Sequence, residues 1–294
     1  MEYFYFITVF LFGIIIGSFL NVCIYRLPRA GMSILKPGSF CPGCRTPIRW
    51  YQNVPLFSFL GLRGKCAKCS VRIPLRYPLV ELLTGALFVL AAYWYLAPFD
   101  NLADGPLGHP AGGERMVQFI VTIYLISILI VATFIDIEFR IIPDELTISG
   151  VILALLVSAF FPFLHKTIFP SLPSFVNGLI GSSAGIIIGG GVIYLVGIFG
   201  KMVFRKDAMG FGDVKLMAFL GGFLGWESTL YIFLAACFIG SIIGIVLYFI
   251  TKDHYIAFGP YIALAALVVM FFKPQIEYLM FRQYPDFIRG VFLT

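Results

Sequence analysis

Long uncharged apolar runs separated by short polar stretches set the pattern of this chain. A helix needs ~20 apolar residues to cross ~30 Å of hydrocarbon. Runs of that kind fall at 3–25, 82–99, 116–135, 146–164, 167–200, 216–226, 228–251 and 255–272. They predict an all-α polytopic membrane protein with about eight transmembrane helices. In the fifth run, Pro170 and Pro173 put the start of the helix proper near Phe175. The sixth is short for a crossing. Counted from Asp213 to Trp226 it reaches ~21 Å at ~1.5 Å per residue, so tilting, bilayer thinning and a re-entrant course all stay open. Composition agrees, because 294 residues that are 60% hydrophobic and 12% charged carry too little polar surface for a soluble globule.

Charge supplies an orientation. Ten of the 21 lysines and arginines lie between Arg26 and Arg76, a stretch with no acidic residue. The positive-inside rule makes this loop cytoplasmic and the amino terminus external. Counting alternate crossings leaves 16 basic residues inside and 5 outside. The first helix has no basic n-region and no small-residue cleavage site, so it is expected to be an anchor. Attraction to anionic lipid headgroups accounts for the loop's charge. No recognition helix or RNA-binding signature accompanies it, which argues against a nucleic-acid partner.

Within the same loop, "FCPGCRTP" and "GKCAKCSVRIP" place Cys41, Cys44, Cys66 and Cys69 as two C-x2-C knuckles 21 residues apart. Two such knuckles bring four thiolates around one tetrahedral ion, and zinc is the usual occupant. Disulfides and a four-thiolate iron centre are the alternatives. A structural zinc would supply folding energy to a loop poor in core-forming residues. Cys23 and Cys237 lie in apolar runs as small packing residues.

The acidic residues divide by place. Glu2, Asp100, Asp104, Glu114, Glu227, Glu277 and Asp286 fall in outer loops or tails, where solvated surface charge is the expectation. Asp136 lies at the last turn of the third predicted span and Asp213 at the first turn of the sixth. Two crossings separate them, so both are expected at one face of the bilayer. Carboxylates at membrane depth are costly and mark ion pathways, proton relays or catalysis. Two aspartates that share a site keep one proton between them, so one can take a proton from water while the other polarises a scissile carbonyl. The structural alternative is pairing with Arg140, Lys215 or Lys206 to anchor helix ends. No Ser/His/Asp set competes, since His109 and His165 fall outside and His254 stands in a loop. Gly210 and Gly212, on either side of Phe211, permit a tight turn and close approach of an extended peptide ahead of Asp213. In "GLIGSSAGIIIGGG", Gly181, Gly185 and Gly189 recur every four residues, the small-xxx-small pattern of close helix packing.

Several of these segments occur together in one order. The G-x-G-D motif ending at Asp213, the D-x6-P-D spacing from Asp136 to Asp144, "GSFLNVCIYRLP", the cysteine knuckles, "YPLVELLTG" and "FGPYIALAAL" resemble the type IV prepilin peptidases, also called prepilin leader peptidase/N-methyltransferases. The resemblance runs from Gly17 to Leu267. It implies that Asp136 and Asp213 are the catalytic pair of a membrane aspartyl protease of the bacterial inner membrane. Such enzymes cleave the basic leader of type IV prepilins or type II secretion pseudopilins on the cytoplasmic side, typically after glycine. Many then methylate the new terminal amine from S-adenosylmethionine.

Supporting roles follow. Asp144 and Glu145 fit the start of a helix, Lys215 either tunes Asp213 or faces headgroups, and Glu81 either meets Arg76 or contacts substrate. No glycine-rich nucleotide loop marks a methyl-donor site. A transporter or proton relay using the same carboxylates is the other reading, but it predicts inverted repeats and acids near the midplane, and the sequence shows neither. The expected organisation is a first helix over 1–25, a zinc module over 26–78, a peptidase domain over 79–272 and a tail over 273–294.

Overall fold

The computed structural model describes residues 2–29, 31–36, 38–96, 112–205, 209–251 and 257–279. Eight α-helices form among them: α1 (Glu2–Arg26), α2 (Phe57–Gly61), α3 (Arg76–Leu96), α4 (Gly112–Phe139), α5 (Asp144–Phe160), α6 (Ser174–Phe204), α7 (Phe211–Thr251) and α8 (Gly259–Tyr278). The described residues contain no β-strand, only two isolated bridges. Six of the helices (α1, α3, α4, α6, α7 and α8) are long and apolar enough to cross a membrane. This differs from the eight runs in the sequence for two physical reasons. Helix α5 spans 17 residues, short for a crossing by length alone. The sixth and seventh runs share one element, α7, whose 41 residues are broken at Gly225 (φ 79°, ψ 165°). A left-handed φ of this kind is open to glycine and strained for other residues, so the chain changes direction where glycine stands.

The chain divides into two compact units, Met1–Ala97 with Phe119–Pro143, and Pro98–Gln118 with Asp144–Thr294. In the first unit α1 lies against α3. A Cβ on Gly17 would stand 2.7 Å from the Glu81 Cα, and one on Gly13 would stand 2.7 Å from the Gly85 Cα, so the two backbones nearly touch. One turn further along α1, Asn21 Nδ2 donates to the Tyr77 carbonyl at 3.0 Å. The segments "GSFLNVCIYRLP" and "YPLVELLTG" therefore pack against each other. Both ends of the cysteine loop are tied to the end of α4, where Arg76 pairs with Glu138 and Arg29 lies 3.8 Å from the same carboxylate.

In the second unit α6 and α7 form the main contact, with α5 and α8 against α7. A Cβ added to Gly185 or Gly221 would lie 2.0 Å from the carbonyl oxygen of the other, and one on Gly189 would lie 2.6 Å from the Met217 carbonyl. The four-residue glycine spacing thus serves helix packing at two of its three positions. Gly181 instead makes room for the ring of His165. Glu227, expected as free surface charge, pairs with Lys166 at 2.7 Å and Lys273 at 3.8 Å. Asp100, Asp104, His109, Lys206, His254, Asp286 and the end of the predicted tail from residue 280 lie outside the described residues. Because no side chain fits between Gly185 and Gly221, Gly185→Val should cost about 1–3 kcal/mol by overpacking and lower the thermal unfolding midpoint in detergent, whereas an unchanged midpoint would rule out the contact.

Candidate active site and metal centre

The two cysteine knuckles have the same local fold, and backbone hydrogen bonds explain why. In the first, Cys41 N–H donates to the Thr46 carbonyl at 3.0 Å and Arg45 N–H to the Cys41 carbonyl at 2.8 Å. In the second, Cys66 N–H donates to the Val71 carbonyl at 2.9 Å and Ser70 N–H to the Cys66 carbonyl at 3.0 Å. The residue after each second cysteine takes a left-handed φ, 54° at Arg45 and 57° at Ser70. The turns direct all four sulfurs inward, within 4.8 Å of one another. Cys41 and Cys69 Sγ are 3.8 Å apart. A tetrahedron with metal–sulfur bonds of about 2.3 Å has edges of about 3.8 Å, so the spacing fits one ion held by four thiolates.

The thiols respond to one another. Hydrogen bonding to the Thr46 side chain and backbone draws the Cys44 thiol down to about 6. Backbone hydrogen bonds at Cys69 and Lys68 lower Cys66. At Cys69 a backbone hydrogen bond at Val71 acts downward, but burial and the thiols of Cys44, Cys66 and Cys41 push it up to about 11. Four sulfurs this close cannot all ionise unless a cation sits among them.

Four charged residues are buried among those described: Arg26, Glu81, Asp136 and Asp213. Asp136 is 6% exposed, in the last turn of α4, where its own carbonyl accepts from Arg140 N–H at 2.9 Å. Arg140 takes a left-handed φ of 57°, ending α4, and Pro143 precedes the start of α5 at Asp144. Asp213 is 8% exposed, in the first turn of α7. Its N–H donates to the Gly210 carbonyl at 3.1 Å, which makes the expected tight turn. Gly210 does this without a left-handed φ; a Cβ there would stand 3.3 Å from Asp213 Oδ2, so the missing side chain clears space beside the carboxylate. Gly212 lies inside α7. The dipole of α7 favours negative charge at Asp213, and the end of α4 that carries Asp136 bears the opposite partial charge.

The supporting residues are engaged in specific ways. Lys215 Nζ lies 2.5 Å from Asp144 Oδ1 and 4.8 Å from the centre of the Phe211 ring. Lysine and aspartate thereby join the first turn of α5 to that of α7. Glu145 accompanies Asp144 in the first turn of α5. Glu81 does not take Arg76, whose partner is Glu138; it accepts from the backbone N–H of Leu56 at 2.8 Å. His165 is half-buried, with Nε2 2.8 Å from Ser158 Oγ, and burial, with the charge of Lys273, lowers it to about 4. Among the described residues no hydrogen-bond partner meets His165 Nδ1. The sequence did not single out Arg26 or the contact of Glu81 with Leu56; a charge inside each of two apolar motifs was the available signal.

Comparison with known proteins adds to the geometry. Residues 11–95 match the Bacterial Peptidase A24 N-terminal domain and residues 123–245 match the Type IV leader peptidase family. A prepilin leader peptidase/N-methyltransferase of Aeromonas salmonicida is 32% identical over 94% of both chains. One from Neisseria gonorrhoeae is 33% identical over 87% of both. The chain belongs to the prepilin leader peptidase/N-methyltransferase family. A third relative, from Klebsiella pneumoniae, is 37% identical over 74% of this chain and 85% of its own. No solved structure matches. The peptidase match contains both buried aspartates, and the N-terminal match contains the four cysteines and Glu81.

The protein is thus a multi-pass membrane enzyme with peptidase and methyltransferase activities and a cluster able to bind a metal ion. Metal analysis of freshly isolated protein should find about one ion per chain, absent from a Cys41→Ser/Cys66→Ser variant. Metal-free protein with an intact module would dismiss the cluster as a metal centre.

Proposed function

We propose that this protein removes the basic leader from type IV prepilins or type II secretion pseudopilins at the cytoplasmic face of the inner membrane, then methylates the new amino terminus. The observation that carries this reading is that Asp136 and Asp213, the two buried aspartates among the described residues, both fall within the leader-peptidase match. Burial of an acid without function is costly in a membrane helix.

Their helix ends suggest a division of labour. Asp213, at the positive end of α7, is the carboxylate that takes a proton from the attacking water. Asp136, at the carbonyl end of α4, is the protonated member that donates to the carbonyl oxygen of the scissile bond. As water adds, that oxygen gains charge and accepts the proton; on collapse of the tetrahedral intermediate the carbon–nitrogen bond breaks as the proton held by Asp213 passes to the departing nitrogen, and a hydroxyl of the intermediate returns a proton to Asp136. Gly210 leaves room for a substrate strand, while Lys215 and Asp144 hold the first turn of α7 in place.

The topology that serves this chemistry has eight crossings, counting α5 as one and dividing α7 at Gly225. It puts the amino terminus outside and the 26–78 module inside, with anionic lipid beneath the module's basic residues. Zinc is the ion for the four thiolates, which leave no open position for catalysis. S-adenosylmethionine supplies an electrophilic methyl group: the nitrogen–carbon bond forms as the carbon–sulfur bond breaks, sulfur keeps the pair, and the amine gives up one proton.

Asp136→Asn and Asp213→Asn should each lower leader cleavage about 100-fold or more in purified, folded protein. Near-normal cleavage by either variant would remove that residue from the chemistry.

A further inference from the structure

Glu138 stands two residues beyond Asp136 on α4 and carries the wrong charge for its place. The carbonyl end of a helix favours cations and disfavours a carboxylate, yet the last turn of α4 contains Glu138 and no basic residue. Two arginines from outside the helix offset it. Arg76, at the start of α3, pairs with one oxygen of the Glu138 carboxylate, and Arg29, just past the end of α1, lies 3.8 Å from the other.

Each guanidinium is itself held. Arg29 donates to the Tyr25 carbonyl and lies 4.1 Å from the centre of the Tyr25 ring and 5.0 Å from that of Phe139, so one cation meets a ring of α1 and a ring of α4. Arg76 lies 5.4 Å from the centre of the Tyr77 ring. An isolated surface ion pair is worth only ~0–1 kcal/mol. Here one carboxylate holds two stacked guanidiniums, an arrangement that fixes geometry more than it adds stability.

What it fixes is the turn that carries Asp136. At ~3.6 residues per turn, two positions are ~200° apart, so Glu138 and Asp136 point to opposite sides of the end of α4. Exposure agrees, with Asp136 6% exposed and the Glu138 side chain 40%. The last carbonyls of a helix have no onward partners, and the turn frays unless something outside holds it. At this end the Asp136 carbonyl accepts from Arg140 N–H, and Arg140 already leaves the helix at φ 57°. A grip on the Glu138 side therefore sets the rotation of the turn and keeps Asp136 inward.

We propose that Glu138, held by Arg29 and Arg76, is a positioning residue for leader cleavage that fixes the rotation of the Asp136 turn. The proposal rests on the assignment of Asp136 to the chemistry, and every contact in it lies within the first unit. It gives the two arms of the cysteine loop a part in cleavage without any contact to substrate. Proton donation to the scissile carbonyl requires Asp136 within hydrogen-bond reach, and a displacement of ~1 Å can cost ~100-fold in rate.

The test uses the full chain in detergent with a purified prepilin, and measures steady-state cleavage and amide hydrogen exchange on the same preparations. Glu138→Gln should lower kcat about 10-fold, change KM less than about 2-fold and speed exchange in the peptide carrying the Arg140 amide, while metal content and folded fraction stay constant. Arg76→Gln and Arg29→Gln, which remove the arms and leave the carboxylate, should act in the same direction. The Glu138→Gln/Arg76→Gln double variant should fall no further than the lower of its single variants, because both remove one interaction. Unchanged kcat in folded Glu138→Gln, losses that add in the double variant, or slowed cleavage without faster exchange at the end of α4 would each overturn the positioning role. A raised KM with kcat unchanged, as expected if Glu138 binds the basic leader directly, overturns it too. Full cleavage by Asp136→Asn instead removes the reading beneath the proposal, while hydrogen exchange still reports on the clamp, so the two failures are told apart.

Discussion

The cost of burying a charge in a membrane helix is the constraint on which this structure turns. A carboxylate or guanidinium removed from water loses several kcal/mol unless bonded partners or a function offset it. The described residues bury four such groups, and each has a specific setting. Arg26 is spent on three loop carbonyls and Glu81 on the Leu56 N–H, whereas Asp136 and Asp213 sit at opposite kinds of helix end inside the leader-peptidase match. Burial thus picks out the candidate chemistry independently of the motifs that first drew attention to the aspartates.

Around these charges the protein uses glycine to bring backbones together and cysteine to order a loop. The Gly185–Gly221 contact lets α6 and α7 meet at backbone distance, so that the element carrying Asp213 has a fixed neighbour. Gly17 does the same for α1 and α3 and brings Glu81 to Ser18. The cysteine loop lacks an apolar core of its own, and the two matching knuckles supply the order that a core would give.

Much of this was legible in the sequence because it follows from local rules. Apolar run length located most of the long helices, C-x2-C spacing gave the sulfur cluster, and four-residue glycine spacing marked two glycines, Gly185 and Gly189, that bring α6 against α7. What was not legible depends on contacts distant in sequence. Lys215 was expected to tune Asp213 or face headgroups, and only the fold shows that it takes Asp144. Glu81 was expected to meet Arg76 or substrate, but Arg76 goes to Glu138 and Glu81 to Leu56, 25 positions upstream. The join of the sixth and seventh runs through Gly225 was hidden by Glu227, which reads as a loop charge until Lys166 and Lys273 are seen to pair with it.

The central claim is that one membrane enzyme cleaves a prepilin leader and methylates the terminus it exposes. Mass spectrometry of a purified prepilin incubated with the protein and S-adenosylmethionine tests it most directly. The claim predicts a product that has lost the basic leader at a single bond and carries one added methyl group on its new amino terminus. A prepilin recovered intact would contradict it.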